Sequence, residues 1–477
     1  MNKLYIILLG FALIGARTLD AWELRGAWIH SPIGIEDKRG WDATVKALAE
    51  NGYNALFANF AWAGCADYPS SVVEPHPSLY DADGNCRDLL QECLDACEKH
   101  GIQLHVWIVV CNLGKHTPER VRKEFSADFR VQLDSEGADS EYLAPHLIEN
   151  QELVCNLAAE IATRYPVAGI HLDYIRYPFG NYDFSPSARE AFEKSLGHAV
   201  KRWPQDAQKG GADYEAFLAW RRGNITALVR KIHAAVKEVR PELQLTAAVY
   251  GYWPGAKVSV AQEAECWAKE GLLDALCPMN YSKNAEDAAG WLRQQLKVLD
   301  GALPVYAGLA NYMTETPQDL MAQIHDAFRI GADGFITFQL KPDFANDWLP
   351  ELHREVTRMP ATPPPRGNEP RPTAVWKRPP RILPWRFLRY WKRGDSVVCT
   401  LKMPDGFSEI ERKSLEIKLL HNYSEVASCP LRLHWRKDGS LRMEFTPEQR
   451  GYYRWELAWR DSDGLRHEWR SQSRFVH

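Results

Sequence analysis

The 477-residue sequence lacks the cysteine and histidine patterns that metal-binding and redox proteins use. Its ten cysteines include no Cys-x-x-Cys pair, and no histidine cluster has the spacing of zinc ligands. A glycine-rich phosphate-binding loop is also missing. These absences argue against a metal hydrolase, a thioredoxin-like protein and a phosphate-binding site, so we expect neither a metal nor another cofactor.

Long apolar runs are scarce as well. The stretch 4–14 follows Lys3 and has the length of a signal-peptide core, which is too short to span a bilayer comfortably. After it, no apolar stretch reaches about 18 residues. We therefore expect a secretory signal at residues 1–21, a secreted or periplasmic protein, and no membrane span in the mature chain.

The two parts of the chain carry opposite net charge. Residues 361–477 hold 23 Lys and Arg against 14 Asp and Glu, whereas residues 1–360 hold 35 against 48. No run of five or six like charges occurs, and we expect no nucleic-acid partner. A basic C-terminal part fits docking to an anionic surface such as a cell-wall polymer or glycan, although a solvated arginine-rich face explains the same composition.

From residue 23 to about residue 357 the sequence shows a regular alternation of short β-branched or aromatic runs with amphipathic helical stretches. Eight such repeats over about 335 residues predict a (β/α)8 TIM barrel, an α/β fold. Longer insertions are expected after the third and fourth strands, at 118–145 and 179–213. The predicted strands are 24–30, 55–60, 104–110, 169–173, 245–250, 275–279, 305–308 and 334–338.

The composition changes after residue 358. A proline-rich stretch predicts a stiff linker, and the alternating pattern beyond it predicts a small all-β sandwich of the immunoglobulin or fibronectin III kind. The run 451–459 is typical of a late strand in such a fold, with a tyrosine near its start able to form a tyrosine corner. The predicted organisation is a signal peptide at 1–21, the barrel at 22–358, the linker at 359–390 and the sandwich at 391–477.

The fourth predicted strand carries the candidate catalytic carboxylate. In TIM barrels the catalytic groups lie at the C-terminal ends of the strands, and residues 169–178 read GIHLDYIRYP. Strand alternation places His171 and Asp173 on the same face, with Arg176 available to pair with the carboxylate. We predict that Asp173 is catalytic; a buried structural His–Asp–Arg network is the alternative.

At these residues the sequence resembles the glycosyl-hydrolase-like family 10, whose members are secreted TIM-barrel proteins. The resemblance covers about residues 23–357 and rests on GIHLDYIRYP. It is supported by ELRGAW at 23–28, YPS at 68–70, LHVW at 104–107, WRRGN at 220–224 and PMNY at 278–281. It implies an active site at the barrel mouth and hydrolysis of glycosidic bonds, which some relatives perform on peptidoglycan glycan strands stripped of their peptides.

Two positions depart from the family pattern. Many relatives carry a second acidic residue where this chain has Tyr174, and an arginine about where it has Ala61. Glycosidases ordinarily need two carboxyl groups, so the second one has to come from elsewhere. Asp67, Asp183 and Asp343 are the candidates in the loops.

The remaining strand ends supply amides, tyrosine hydroxyls and aromatic rings, which suit a polyhydroxylated ligand. The leading hypothesis is a secreted glycoside hydrolase of an oligo- or polysaccharide, and the alternative is a non-catalytic glycan-binding barrel. The predicted substrate-binding residues are Arg25, Asp67, His171, Arg176, Tyr177, Tyr250, Asn280, Tyr281 and Gln339.

Overall fold

The structure is a computed structural model. In the N-terminal part it describes residues 21–30, 32–115, 117–179 and 182–358. In the C-terminal part it describes 361–362, 372–377, 380–383, 388–404, 406–421, 424–426, 431–462, 464, 466–471 and 474–476. The predicted signal peptide, apart from its last residue, lies outside the described residues.

Eight parallel strands close into a barrel. Each strand pairs with the next along the chain, and the eighth pairs with the first. The predicted TIM barrel is confirmed, with every strand end within two residues of its predicted place. The strands are β1 Leu24–Ile29, β2 Ala55–Trp62, β3 Gln103–Val109, β4 Gly169–Asp173, β5 Gln244–Tyr250, β6 Ala275–Met279, β7 Tyr306–Ala310 and β8 Gly334–Phe338.

A helix follows each strand on the outside of the barrel. The helix boundaries follow local chemistry: Asp88 accepts a hydrogen bond from the Gln91 N–H at one start, and Gly101 and Gly331 end two helices with φ of 71° and 113°. The helices are Pro32–Glu50, Leu89–His100, Ile148–Arg164, Tyr214–Val239, Ala264–Lys269, Ala285–Leu299 and Pro317–Ile330, with a helical segment at 344–357 after β8.

The longest connections follow β3 and β4. The β3 insertion contains helix Glu119–Ala127 and an antiparallel pair of short strands, Val131–Leu133 and Asp139–Leu143. The β4 insertion contains helix Pro186–Leu196, which packs in a small apolar cluster of its own with Phe184, Phe192 and Phe217. Since both insertions leave from the C-terminal ends of strands, they rise around the barrel mouth.

The apolar core has two layers separated by the strands. Alternate strand residues point inward, and the interior is filled by large side chains such as Trp28, Phe57, Trp107, Tyr306 and Ile336. The other strand residues pack outward against the helices in a larger cluster. The barrel is therefore a filled core with a ligand-accessible end, not a pore.

Arg25 closes the opposite, N-terminal end of the barrel. Its Nη1 donates to the carbonyl oxygens of Thr357 (2.9 Å) and Gly52 (3.3 Å), and its Nε pairs with Glu23 Oε1 at 2.7 Å. The side chain is 4% exposed. These bonds join the first strand to the loop before β2 and to the last helical segment. The substrate-binding role predicted for Arg25 does not fit this position, because the mouth lies at the other end.

The C-terminal part forms two antiparallel sheets around one apolar core that includes Cys399, Met443 and Trp455. Tyr453 forms the expected tyrosine corner, because its hydroxyl donates to the carbonyl oxygen of Gln449 at 3.0 Å. One sheet has Thr373–Trp376, Val397–Lys402, Leu441–Phe445 and Arg432–Trp435; the other has Ser424–Glu425, Glu416–His421, Gly451–Arg460, Arg466–Arg470 and Arg474–Val476.

The predicted linker at 359–390 contains regular structure. Thr373–Trp376 pairs with Val397–Lys402 inside the first of these sheets, and Arg381–Leu383 pairs with Leu388–Tyr390. Further upstream, Ala361–Thr362 pairs in parallel with Ala21–Trp22. Strands of the C-terminal sheets therefore begin within the predicted linker, before the predicted start of the sandwich at residue 391.

Two further features concern the whole described chain. Its nine described cysteines are free thiols, including Cys93 and Cys97 on one face of a helix. None of the described helices combines the length and the apolarity needed to cross a membrane.

We expect Arg25→Ala to lower the free energy of unfolding by about 1.5–3 kcal/mol, because it removes charge-assisted hydrogen bonds that are shielded from water. Chemical denaturation measures this change. Lys46→Ala is the control, since Lys46 pairs with Glu50 at 3.7 Å on the surface and such a pair contributes about 0–1 kcal/mol. An Arg25 variant with unchanged stability but weaker glycan binding would instead support the ligand-binding role.

Candidate active site

A cavity of about 290 Å³ opens at the C-terminal ends of the barrel strands. Its wall carries two charged side chains, Asp173 and Arg176, among the described residues. No three His, Cys, Asp or Glu side chains of the described ranges come together in a way that could hold a metal ion. Aromatic rings form most of the wall: Trp28, His30, Trp107, Tyr174, Tyr281, Tyr312 and Phe338.

Asp173 is the last residue of β4, and its carboxylate is held from one side. Oδ1 accepts hydrogen bonds from Arg176 Nη1 at 2.8 Å and from the Tyr174 N–H at 2.5 Å. Because both contacts use Oδ1, Oδ2 is the oxygen that can meet a ligand. The Asp173 and Arg176 side chains are 6% and 7% exposed, so each compensates a charge that would be costly to bury alone.

Arg176 is itself fixed by two aromatic rings. Its guanidinium lies 3.9 Å from the Tyr174 ring centroid and 5.0 Å from that of Tyr250. Burial lowers the pKa of Arg176, but the Asp173 carboxylate and the neighbouring tyrosines raise it by more. Arg176 therefore stays a cation in a defined orientation. Tyr250, a predicted substrate-binding residue, ends β5 beside Arg176 and is not one of the residues that line the cavity.

Tyr174 has an unusual backbone conformation. Its φ is 50°, in the left-handed region that residues other than glycine seldom adopt, at a cost of about 1–3 kcal/mol. In this conformation the Tyr174 N–H donates to Asp173 and the Tyr174 ring faces Arg176. Tyr174 stands where many relatives carry an acidic residue, and here it contacts both members of the Asp173–Arg176 pair and holds them in place.

His171 lies below the mouth, inside the barrel. The Trp28 indole N–H donates to His171 Nε2 at 3.0 Å, so the proton of the ring is on Nδ1, which contacts Thr246 Oγ1 at 2.8 Å. Burial, and then the nearby His105, lower the pKa of His171 well below its usual value. His171 is therefore a neutral residue that fixes the Trp28 ring, and its predicted contact with substrate does not fit this position.

The other predicted substrate-binding residues divide into two groups. Tyr281 and Gln339 line the cavity, with the Tyr281 ring stacked on Phe338 at 5.7 Å. Asn280 is buried outside the cavity wall and pairs with the amide of Gln295 through two hydrogen bonds of 3.2 and 2.7 Å. The amide of Asn280 therefore stabilises the barrel and does not face a ligand.

Tyr177 supports the loop that carries Arg176. Its hydroxyl accepts a hydrogen bond from Asn224 Nδ2 at 3.1 Å, and Arg221 lies 4.4 Å over its ring. Both partners come from helix Tyr214–Val239, within the family-like WRRGN segment. That segment therefore positions the β4 loop from behind, and Tyr177 is fully buried away from the cavity wall.

The YPS segment at 68–70 also has a structural role. The Tyr68 and Ser70 hydroxyls donate to Glu160 Oε2 at 2.9 and 2.6 Å, and Ser71 donates to Oε1 from its N–H and its hydroxyl. Glu160 belongs to helix Ile148–Arg164. This acid thus anchors the long connection after β2 to the outside of the barrel.

None of the three candidates for the second carboxylate lines the cavity. Asp67 is buried, its Oδ1 has no hydrogen-bond partner among the described residues, and burial raises its pKa to about 7. Burial also raises the pKa of Asp183 to about 6, although its Oδ1 accepts hydrogen bonds from the N–H groups of Leu133 and Ser185. Asp183 thus joins the β3 and β4 insertions. Asp343 is exposed before the last helical segment.

Several wall residues were not identified as site residues from the sequence. Trp28 and Phe338 are the main ones, and Tyr174 was noticed only as a departure from the family pattern. Trp28 could have been identified from the sequence. Alternate residues of β1, counted from Leu24, face the interior of the barrel, and this pattern places Trp28 on the interior face near the mouth. For Phe338, the last residue of β8, proximity to a strand end was the corresponding signal.

The fold and the site define a TIM-barrel protein with one carboxylate among aromatic rings in the described wall of its mouth. Residues 23–326 match the family described as Glycosyl hydrolase-like 10, and the chain belongs to this family. Two relatives are described as glycosyl hydrolases. DigH of Escherichia coli (strain K12) is 23% identical over 351 residues, 66% of this chain and 71% of DigH. YngK of Bacillus subtilis (strain 168) is 22% identical over 334 residues, 61% of each chain.

Solved structures show the same fold. The glycoside hydrolase domain of PgaB (BpsB) from Bordetella bronchiseptica has a TM-score of 0.52 at 11% identity, covering 69% of this chain and 98% of that domain. The catalytic domain of β-amylase from Paenibacillus polymyxa has a TM-score of 0.52 at 13% identity, covering 72% and 100%. At these identities the likeness concerns the barrel architecture alone.

We expect Asp67→Asn to be more stable than the wild type above neutral pH. The Asp67 carboxyl has a pKa of about 7 in the folded protein and an ordinary value of 3.8. The wild type therefore loses stability relative to the variant as pH rises from about 4 to 7, by about 2–4 kcal/mol in total. Thermal unfolding of both proteins at pH 4, 6 and 8 measures the difference. A difference that is the same at all three values would contradict the burial-raised pKa.

Proposed function

We propose that this chain is a glycoside hydrolase that cleaves O-glycosidic bonds of an oligo- or polysaccharide at the barrel mouth. The observation that carries the proposal is the Asp173 carboxylate, fixed by Arg176 at one oxygen and set in a wall of aromatic rings. Membership of the glycosyl-hydrolase-like family supports it. Peptidoglycan glycan strands are the first candidate substrate, because the resemblance implies them for some relatives.

Asp173 is the residue that we assign to the reaction. Hydrolysis breaks the bond between the anomeric carbon and the leaving oxygen; water supplies the new oxygen on that carbon, and a proton goes to the leaving group. With Oδ1 held by Arg176 and by the Tyr174 N–H, Oδ2 can act on the anomeric carbon, a water or the leaving oxygen. The aromatic wall limits water and orients the apolar faces of the sugar.

A second function, non-catalytic glycan binding, is favoured by one observation. Glycosidases ordinarily use two carboxyl groups, and Asp173 is the only carboxylate in the described wall of the cavity. A binding barrel would need the same aromatic wall but no second acid. Both functions therefore predict a glycan ligand at the mouth, and they differ in whether the protein cleaves it.

The proposal includes location outside the cytoplasm. Its support is the N-terminal sequence, where a short apolar stretch follows Lys3. The excess of Lys and Arg in residues 361–477 supports docking of the C-terminal part to an anionic polymer or glycan near the substrate.

The test compares the wild type with Asp173→Asn on peptidoglycan strands, chitooligosaccharides and common plant or mucosal glycans. We expect the wild type to release new reducing ends from one of these. The variant should be slower by at least about 10²–10⁴-fold, because it lacks the carboxylate, while it still binds the glycan. Glu50→Gln is the matched carboxyl-to-amide control at the far end of a barrel helix, and it should keep full activity.

Two results would overturn parts of the proposal. If neither protein releases reducing ends and both bind a glycan, the chain is a binding protein. If Asp173→Asn keeps wild-type turnover, the reaction belongs to a different group.

A further inference from the structure

Two large aromatic side chains stay exposed at the mouth, on different sides of it. Phe179 follows β4 and Tyr312 follows β7, and each is 61% exposed. A single exposed aromatic side chain needs no explanation. What distinguishes these two is that packed groups connect each of them to the wall of the cavity: Phe179 through Tyr250 and Arg176, and Tyr312 as a wall residue itself.

On the β4–β5 side, the packed groups lead from the carboxylate to the surface. Asp173 bonds Arg176 at 2.8 Å, Arg176 lies 5.0 Å from the Tyr250 ring centroid, and the Phe179 ring meets Tyr250 edge to face at 5.2 Å. We call Phe179 and Tyr250 the β4–β5 platform. It begins beside the candidate reaction centre and ends in solvent.

On the opposite side, Tyr312 stands edge to face against Tyr281 and Phe338, with centroid distances of 6.2 and 5.9 Å. Tyr281 and Phe338 are stacked on each other, so Tyr312 rests on a rigid pair of rings. We call Tyr312 and Phe338 the β7–β8 platform. It lines the cavity and also reaches beyond it.

The cavity alone is too small for a long glycan, which would therefore also contact the two platforms. At about 290 Å³ it lies at the lower limit of ligand pockets, which measure about 300–1,000 Å³. A protein that takes a single sugar or a chain end needs only a pocket of this size. A longer glycan has to continue over the rim, where its apolar C–H faces can lie on aromatic rings and its hydroxyls can stay in water.

Building on the proposed function, we infer that the substrate is an internal segment of a glycan chain that crosses the mouth from one platform to the other. Sugars on one side of the cleaved bond lie against Phe179 and Tyr250, and sugars on the other side against Tyr312 and Phe338. The protein then cuts within chains instead of releasing single sugars from an end.

The test measures how affinity grows with chain length. Phe179→Ala and Tyr312→Ala are each combined with Asp173→Asn, and binding of a disaccharide and of a hexasaccharide is measured by calorimetry. The probes are chitooligosaccharides, or the glycan that the wild type cleaves. We expect the ratio of hexasaccharide to disaccharide affinity to fall about two- to tenfold in each double variant, because one stacking surface is removed.

The control is Val239→Ala in the same background, an exposed apolar residue at the end of helix Tyr214–Val239 away from the mouth. Its affinity ratio should match that of Asp173→Asn alone. Early products of the wild type on long chains provide a second measurement, and we expect fragments of many lengths.

The outcomes separate the inference from the function on which it rests. If Asp173→Asn binds no glycan of any length and the wild type cleaves none, the proposed function fails and the inference with it. If glycans bind or are cleaved but neither platform variant changes the affinity ratio, the inference alone fails. Early products that consist only of single sugars from chain ends would also overturn it.

Discussion

The ion pair between Asp173 and Arg176 is the interaction on which the mouth of this barrel depends. Both side chains are almost fully buried, and either one alone would leave an uncompensated charge costing about 3–5 kcal/mol. Because Arg176 lies only three residues beyond Asp173, the chain has to turn sharply, and Tyr174 adopts a left-handed conformation there. The orientation of the Asp173 carboxylate and the backbone strain at Tyr174 therefore both follow from the ion pair with Arg176.

The charge pair is supported by residues that do not touch the cavity. Tyr177 directly follows Arg176 and is held by Asn224 and Arg221 of the helix behind the loop. Asp183 links the two insertions beside the mouth, and Glu160 anchors the connection after β2. Two of the family-like segments outside β4, YPS at 68–70 and WRRGN at 220–224, thus act on the site indirectly, by holding the loops that surround it. The other three, ELRGAW, LHVW and PMNY, place side chains directly in the cavity wall.

The sequence predicted the barrel and the position of Asp173 at its mouth because strand alternation and the position of strand ends are local properties. It could not predict the partners that other parts of the chain supply. The sequence predicted that Arg25 binds substrate, but its hydrogen bonds to Gly52 and Thr357 form at the end of the barrel opposite the mouth. The buried pair of Asn280 and Gln295 likewise depends on how a helix packs on a strand. The absence of Asp67, Asp183 and Asp343 from the described wall reflects loop geometry, which sequence spacing does not determine.

The hydrogen bonds from Trp28 through His171 to Thr246 hold the Trp28 ring in a position that mild acid does not change. A proton added to His171 Nε2 would displace the Trp28 indole N–H and free the ring that forms the floor of the cavity. Since burial keeps His171 neutral far below its usual titration range, the floor holds its shape through mild acid. The Trp28 ring can therefore keep its place across acidic and neutral conditions, and any pH response of the site arises in the other groups of its wall.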